Sequence, residues 1–463
     1  MGILKEIVNY VLNLGAPVFV PILMLVLGLI ARMKLKNAFM SAITLAIAFA
    51  GMSMVVNYMM AAIGPAAQAM SKATGITLNA VDMGWTGAAA ISWAWPLAFT
   101  LFPLVLLVNF IMLALNWTKT LNVDMWNVWG KILTAFLVYK MSGSIVAAYG
   151  VAAIQIVLEL KLGDMWQRHI QDLTGIPGVT VTHIETFAAV LMNPVNKLLD
   201  KIPFFNYRFD AAGLKKKIGI FSENSVMGFI IGVLLGFGAM YSVSKSLMLG
   251  VEAATAMALF PMISKLFMQA LSPLADAMGN FMKKHFKDRE IYIGLDWPIL
   301  AGRSELWVTA IILVPVFIIF AMILPGNDVL PFAGVINYCL AVGGLLLTGG
   351  NLLRMIVLGV IFTPLYLYGA TFFAPQFTEL AKSTKAISIP AHSMVTWSSI
   401  EAPEFRYLFG EAANLNWWAI ILSALLMVMF WWLYKTAMHD KVPSERYQDF
   451  ESKVKNAGNS SQI

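Results

Sequence analysis

The sequence predicts an all-α polytopic membrane protein of about eleven transmembrane helices, built as two inverted five-helix repeats that each carry a re-entrant hairpin. Three observations predict it. Hydrophobic residues fill 59% of the 463 positions and charged residues only 12%, about half the roughly 25% charged content of soluble domains. Mean hydropathy is +0.75, and the apolar residues form uninterrupted runs instead of one face at helical spacing, which excludes a large soluble protein with buried helices. Finally, a short block and the broken segment that follows it recur about 208 residues downstream, Ile63 to Met70 (IGPAAQAM) matching Leu271 to Met278 (LSPLADAM).

In chain order, residues 1–14 have apolar positions at helical spacing and no small-residue cleavage site after them, so they read as an interfacial helix and not a signal peptide. The first repeat, 15–200, holds the runs Gly15 to Ala31, Phe39 to Ile63 and Leu97 to Leu115, with weaker spans at Lys131 to Leu158 and Val179 to Leu199. A basic loop, 201–221, separates it from the second repeat, 222–375. That repeat holds Met227 to Met240, Lys245 to Gln269, Trp307 to Leu324, Phe332 to Leu353 and Met355 to Phe373. Residues 376–416 read as an extracytoplasmic loop, 417–435 as the last transmembrane helix and 436–463 as a cytoplasmic tail. Most of these runs are long enough for a hydrocarbon core of ~30 Å.

Charge sets the orientation. The net charge of +7 does not indicate nucleic acid here, because Lys and Arg concentrate in cytoplasmic loops of membrane proteins. With the N-terminus outside and the C-terminus in the cytoplasm, about 22 of the 32 Lys and Arg residues lie inside and about eight outside. The reverse orientation would place the basic stretch Lys197 through Lys217 outside. The single cysteine, Cys339, lies in an apolar run, forms no internal disulfide and reads as a small core residue.

Two segments fail as spans. Gly84 to Trp95 (GWTGAAAISWAW) and Gly294 to Trp307 (GLDWPILAGRSELW) are short, and small or broken by Gly and Pro. They read as re-entrant hairpins, 84–95 and 294–307, which persist at membrane depth only when buried in protein or lining a wet cavity. The alternative is an interfacial loop with tryptophans at the headgroup level. The repeat favours hairpins: each segment has an acidic residue beside a tryptophan, Asp82 with Trp85 and Asp296 with Trp297. Five spans per copy is odd, so the second copy is inverted, and paired broken segments in inverted repeats mark a solute site near the midplane.

Ionisable residues at membrane depth are functional candidates. Asp296 precedes Trp297 and Pro298, where a helix cannot simply continue. Its carboxylate suits two hydroxyl donors of a polyol, with Trp85 or Trp297 stacked on the apolar face and Thr86 and Ser92 adding polar groups; it also suits a helix cap. His183 and Glu185 lie two residues apart after the Ile176-Pro-Gly break. Lys140 suits a carboxylate partner or a snorkelling position; Asn57 and Asn224 are weaker candidates. Gly228, Gly232 and Gly236 form a close-packing stripe. The chain has no phosphate-binding Gly-rich loop ending in Lys-Ser/Thr, no metal-spaced His/Cys cluster and no nucleophile elbow, so neither cofactor nor metal is expected.

Several blocks in order carry a family resemblance: IVNYVLNLGAPVFVPI at the start, IGPAAQAM, VDMGWTGAAAISWA, LNVDMWNVW, KKKIGIFSENSVMGFIIG, IGLDWPILAG, PGNDVLPF and GGNLLR. Together they resemble the galactitol-type IIC components of the bacterial phosphotransferase system, in the ascorbate/galactitol superfamily. The likeness covers most of the chain and is weakest in Pro375 to Asn414 and the tail. It implies a permease of the cell inner membrane that works with separate IIA and IIB proteins, a phosphocysteine on IIB phosphorylating a polyol at the cytoplasmic face. The chain itself has no IIB-type phosphate loop, so it is expected to hold no phosphorylated or catalytic residue. Ascorbate-type relatives imply a homodimer, a fixed scaffold and a mobile, elevator-like core, with substrate between the hairpins. Histidines of the fourth and fifth spans reach substrate in those relatives; His183 matches the second, whereas Tyr139 stands at the first. The AAAIS of the first hairpin differs from the relatives and leaves the identity of the polyol open. The expected mechanism is alternating access with inward transport of galactitol or a similar alditol. Phosphorylation adds about 1.5 to 2 negative charges, which a carboxylate-bearing site releases. The alternative is a proton- or sodium-coupled transporter in which Asp296 and Glu185 carry the ion.

Overall fold

The computed structural model describes residues 16–446 apart from 31, 123, 125, 207–211, 213–218, 286–290, 388, 390–392 and 443. The expected interfacial helix 1–14, much of the basic loop 201–221 and residues 447–463 of the tail lie outside the described residues.

The chain opens with α1 (Ala16–Ile30) and a 40-residue α2 (Leu35–Thr74), then a short strand β1 (Ala80–Asp82). A ten-residue α3 (Gly84–Trp93) follows, and after a 3-10 turn α4 (Leu101–Ala114) leaves at 89° to it. Next come β2 (Thr120–Asn122), α5 (Val128–Ser142), α6 (Ile145–Thr174), β3 (Val179–Val181) and α7 (Ala188–Leu199). The same order then recurs: α8 (Asn224–Gly238), a 43-residue α9 (Val243–His285), β4 (Tyr292–Leu295), a 3-10 turn over Trp297–Leu300, and α10 (Ser304–Ile323). It continues through β5 (Val329–Leu330), α11 (Tyr338–Thr348), α12 (Leu352–Ser383), β6 (Met394–Thr396) and α13 (Pro403–Ala413), and α14 (Trp417–His439) closes the chain.

Among the described residues six helices (α2, α6, α9, α10, α12 and α14) are long and apolar enough to cross a membrane, and the bent pair α3/α4 makes a seventh if counted as one span. Their outer faces are greasy. Ile420, Ile421, Leu425, Val428, Trp431 and Trp432 on α14 are all exposed, a patch a soluble protein would not tolerate. The chain is an integral, largely helical membrane protein.

Several expected spans resolve differently. The expected crossings at 15–31, 179–199, 227–240 and 332–353 fall on helices of 15, 12, 15 and 11 residues. At 1.5 Å per residue the longest of these reaches about 22 Å, short of a full hydrocarbon core. The expected span at Lys131 to Leu158 is broken. Gly143 ends α5 in the left-handed region (φ +68°), and Ser144 caps α6 by accepting from the Ala147 amide at 3.2 Å. The first hairpin, 84–95, is the helix α3 with its sharp bend. The second, 294–307, is the end of β4, a single 3-10 turn with Pro298 in its first positions, and the start of α10. Within 376–416, expected as an extracytoplasmic loop, α12 continues to Ser383, β6 follows, and α13 buries its first turn.

Two packing features place the site. Helices α1, α2, α8 and α9 form one group, reaching the rest chiefly through α3 and β2. Within it, Gly228, Gly232 and Gly236 form the expected stripe, since a Cβ at Gly232 would lie 2.6 Å from the Leu249 carbonyl on α9. The strands form two parallel three-stranded sheets, ordered β5-β1-β6 and β2-β4-β3. Each central strand comes from one half of the chain and both its neighbours from the other. Asp82 pairs in register with Thr396, and Leu295 with Val181.

Candidate functional site

The site grows from the ends of β3, β4 and β6. After β3, Thr182 fits where two glycines give way to it: a Cβ at Gly294 would lie 2.5 Å from its methyl, and one at Gly163 would lie 3.1 Å from it. This fixes His183, which caps the 3-10 turn Ile184–Phe187 in an extended conformation, its Nδ1 accepting from the Glu185 amide at 3.4 Å and its carbonyl accepting from the Thr186 hydroxyl at 3.0 Å. The buried imidazole stands between two buried carboxylates. Nδ1 is 3.5 Å from Glu185 Oε2 and Nε2 is 3.5 Å from Glu401 Oε1. Three metal-type ligands thus lie within 4.8 Å of one another, yet the acids face opposite edges of the ring. Because Nδ1 already accepts from the Glu185 amide, its proton lies on Nε2, the nitrogen that faces Glu401.

Glu401 is delivered by the segment after β6 and held by Arg406 of α13. The fully buried guanidinium lies 3.4 Å from Glu401 Oε2, donates to Thr134 Oγ1 at 2.9 Å and the Gly130 carbonyl at 3.3 Å, and also binds the Glu401 carbonyl. Gly130 admits this contact, since a Cβ there would sit 3.3 Å from Glu401 Oε2. Asp296, after β4, caps its own 3-10 turn by accepting from the Trp297 amide at 2.7 Å. Its carboxylate also faces the Asn127 side chain, with Asp124 and Glu401 near enough to act on its charge.

An acceptor-rich group of this kind, enclosed between helices of a membrane protein, suits a solute rich in hydroxyl donors. Comparison with known proteins agrees. Residues 10–392 match the family of PTS system sugar-specific permease components. The chain belongs to this permease family. It is 32% identical over 410 residues to a putative permease IIC component of Escherichia coli K12, covering 85% of this chain and 93% of that protein. It is likewise 32% identical over 387 residues to the galactitol-specific EIIC components of the PTS in E. coli K12 and O157:H7, covering 83% of this chain and 86% of each.

In this permease the sequence-derived candidates separate into two sets. His183, Glu185 and Asp296 lie near one another, and Asp296 makes the cap expected of it. Trp297 stacks on Tyr338 (4.9 Å between centroids), so one face of its ring is already covered. Trp85, Thr86 and Ser92 belong to α3, which packs on α5. Thr86 is buried, Trp85 half-buried, and the Ser92 hydroxyl donates to the Ala88 carbonyl of its own helix at 2.7 Å. Lys140 is not part of the group; it pairs with Glu379 in a partly exposed bridge.

Sequence reasoning missed Glu401, Arg406, Lys131 and Glu159. Lys131 is fully buried, pairs with Glu159 and donates to the Asn127 carbonyl at 3.1 Å, while Gln155 donates to Glu159 at 2.8 Å. Ionisable residues inside apolar runs were the available signal for Lys131 and Glu159. Cys339 is the buried core residue the sequence predicts, its thiol donating to the Ser399 carbonyl at 3.4 Å beside Glu185.

Proposed function

We propose that this permease carries galactitol or a closely similar alditol inward by alternating access, coupled to phosphorylation by a separate IIB protein that IIA recharges. The observation that carries the reading is the His183 imidazole set between the Glu185 and Glu401 carboxylates, with Asp296 close by. Its carboxylates accept from a polyol's hydroxyls, whereas a phosphorylated product meets them as like charge and leaves. The galactitol specificity of two relatives points the same way.

The architecture behind the reading is a pair of inverted repeats, 15–200 and 222–375 extended through α13. The recurring element order and the exchanged strands support it. Helices α1, α2, α8 and α9 act as the scaffold of a homodimer, and the remaining helices carry the site past it in an elevator movement. The N-terminus lies outside and the C-terminus in the cytoplasm, on the strength of the loop charges. Within the site His183, Glu185, Asp296 and Glu401 bind hydroxyls, Trp85 and Trp297 offer apolar ring faces, and Thr86 and Ser92 line the first hairpin.

Titration of the purified protein with a panel of alditols and hexoses tests this. Saturable binding led by galactitol is expected; preference for an anionic sugar acid or for no polyol overturns the reading.

A further inference from the structure

We propose that Asp82 is a positioning residue whose carboxylate latches the first hairpin to the arm carrying Glu401 and so sets the shape of the substrate site. The inference rests on the polyol site proposed above but concerns a residue outside it.

Whereas Asp296 lies one residue beyond the end of β4, Asp82 ends β1 and is completely buried. Its two oxygens are filled by the protein. Oδ1 accepts from the Gly84 amide at 2.9 Å and the Ser398 amide at 3.1 Å. Oδ2 accepts from the Phe332 amide at 3.0 Å, the Gly334 amide at 2.8 Å and the Ser398 hydroxyl at 2.6 Å. Five donors saturate the lone pairs of a carboxylate, so no acceptor is left for a solute. Asp296, by contrast, receives from the Trp297 amide and faces the Asn127 side chain.

The donors come from three stretches of chain. Gly84 begins the hairpin helix that carries Trp85 and Thr86, Phe332 and Gly334 follow β5, and Ser398 follows β6. Two glycines make the closure possible. Gly84 has φ +68°, and a Cβ there would lie 3.0 Å from the Ala333 backbone; a Cβ at Gly334 would lie 2.8 Å from Asp82 Oδ1. From Ser398 the chain runs three residues to Glu401. On the way the Trp397 indole packs 5.4 Å from Trp129 and donates to Ser399 Oγ at 2.7 Å. The latch therefore fixes the distance between the hairpin and one of the two carboxylates that flank His183. An amide at position 82 would turn an NH2 group toward one set of these donors, which opens the clasp on that side.

The test uses the full-length protein in detergent, with Ser398→Ala as the mild variant and Asp82→Asn as the severe one. Hydrogen exchange read without ligand should quicken at Gly84–Trp93 and at residues 397–402, while α8 and α9 keep wild-type protection. Galactitol binding by Ser398→Ala should weaken roughly three- to tenfold, below the full worth of a hydrogen bond to a carboxylate because the effect on the site is indirect, with a changed ratio of affinities among alditols. Uniform loss of protection, or wild-type protection in both variants, overturns the latch. Wild-type affinity and alditol ratio in a variant with local opening overturn its positioning role. Failure of the wild type to bind galactitol sinks the substrate reading instead, and the exchange measurement still decides the latch.

Discussion

His183 is a buried cap that accepts from the Glu185 amide and faces Glu401, so truncating it strips both neighbours. His183→Ala should lower alditol affinity at least tenfold, about 1.4 kcal/mol, and cost about 1–3 kcal/mol of stability by orphaning a buried amide. Glu401→Gln should do more harm, because it leaves the buried Arg406 guanidinium with weakened compensation; removing one partner of such a pair costs about 3–5 kcal/mol. Thermal melting and isothermal titration on the same samples separate the two outcomes. Asp296→Asn should weaken binding far more than Lys140→Met, since Lys140 bridges to Glu379 at a partly exposed position; equal binding by both variants would remove Asp296 from the site. His183, Glu185 and Asp296 were legible in the sequence because a polar residue stands out beside a Pro or Gly break. Glu401 was not. It lies in a segment whose polar composition resembles a loop, and only the parallel pairing of β6 with β1 carries that segment inward.

Helix geometry explains which elements the sequence disclosed. Long apolar runs such as Trp307 to Leu324 gave their helices directly, because nothing within them competes with the helix. The glycine stripe of α8 was equally legible, since four-residue spacing lines up one face. Gly232→Val should force α8 away from the Leu249 carbonyl and cost about 1–3 kcal/mol in overpacking, read as a lower melting temperature with galactitol affinity unchanged in the folded fraction. Helix breaks were harder to read. The run at Lys131 to Leu158 is apolar enough to suggest one span, and only Gly143 and Ser144, a left-handed stop followed by a cap, divide it. The short strands carried no signal at all: three residues cannot display alternation, and their pairing partners lie more than a hundred residues away.

For the whole molecule, the decisive issue is the source of the driving force. Vesicles holding the permease alone should equilibrate galactitol without accumulating it, whereas IIA, IIB and a phosphoryl donor should produce trapped galactitol phosphate. Protonophores and sodium ionophores should leave that accumulation intact. Ionophore-sensitive accumulation of unmodified galactitol would instead favour an ion-coupled carrier with Asp296 and Glu185 as the ion site. The loop charges argued orientation, and the matched family gives the phosphotransferase setting; neither follows from the other.

The exchanged strands also bear on how the chain is made. β1 is complete once residue 82 leaves the ribosome, but its neighbours β5 and β6 arrive only at residues 329 and 394. At roughly 5–20 residues per second, the first strand waits tens of seconds with open edges in the translocation machinery. Neither half can complete its own sheets, so the first half expressed by itself remains an unfinished fold and a substrate for quality-control proteolysis. Assembly becomes a single late event, gated by the last third of the polypeptide.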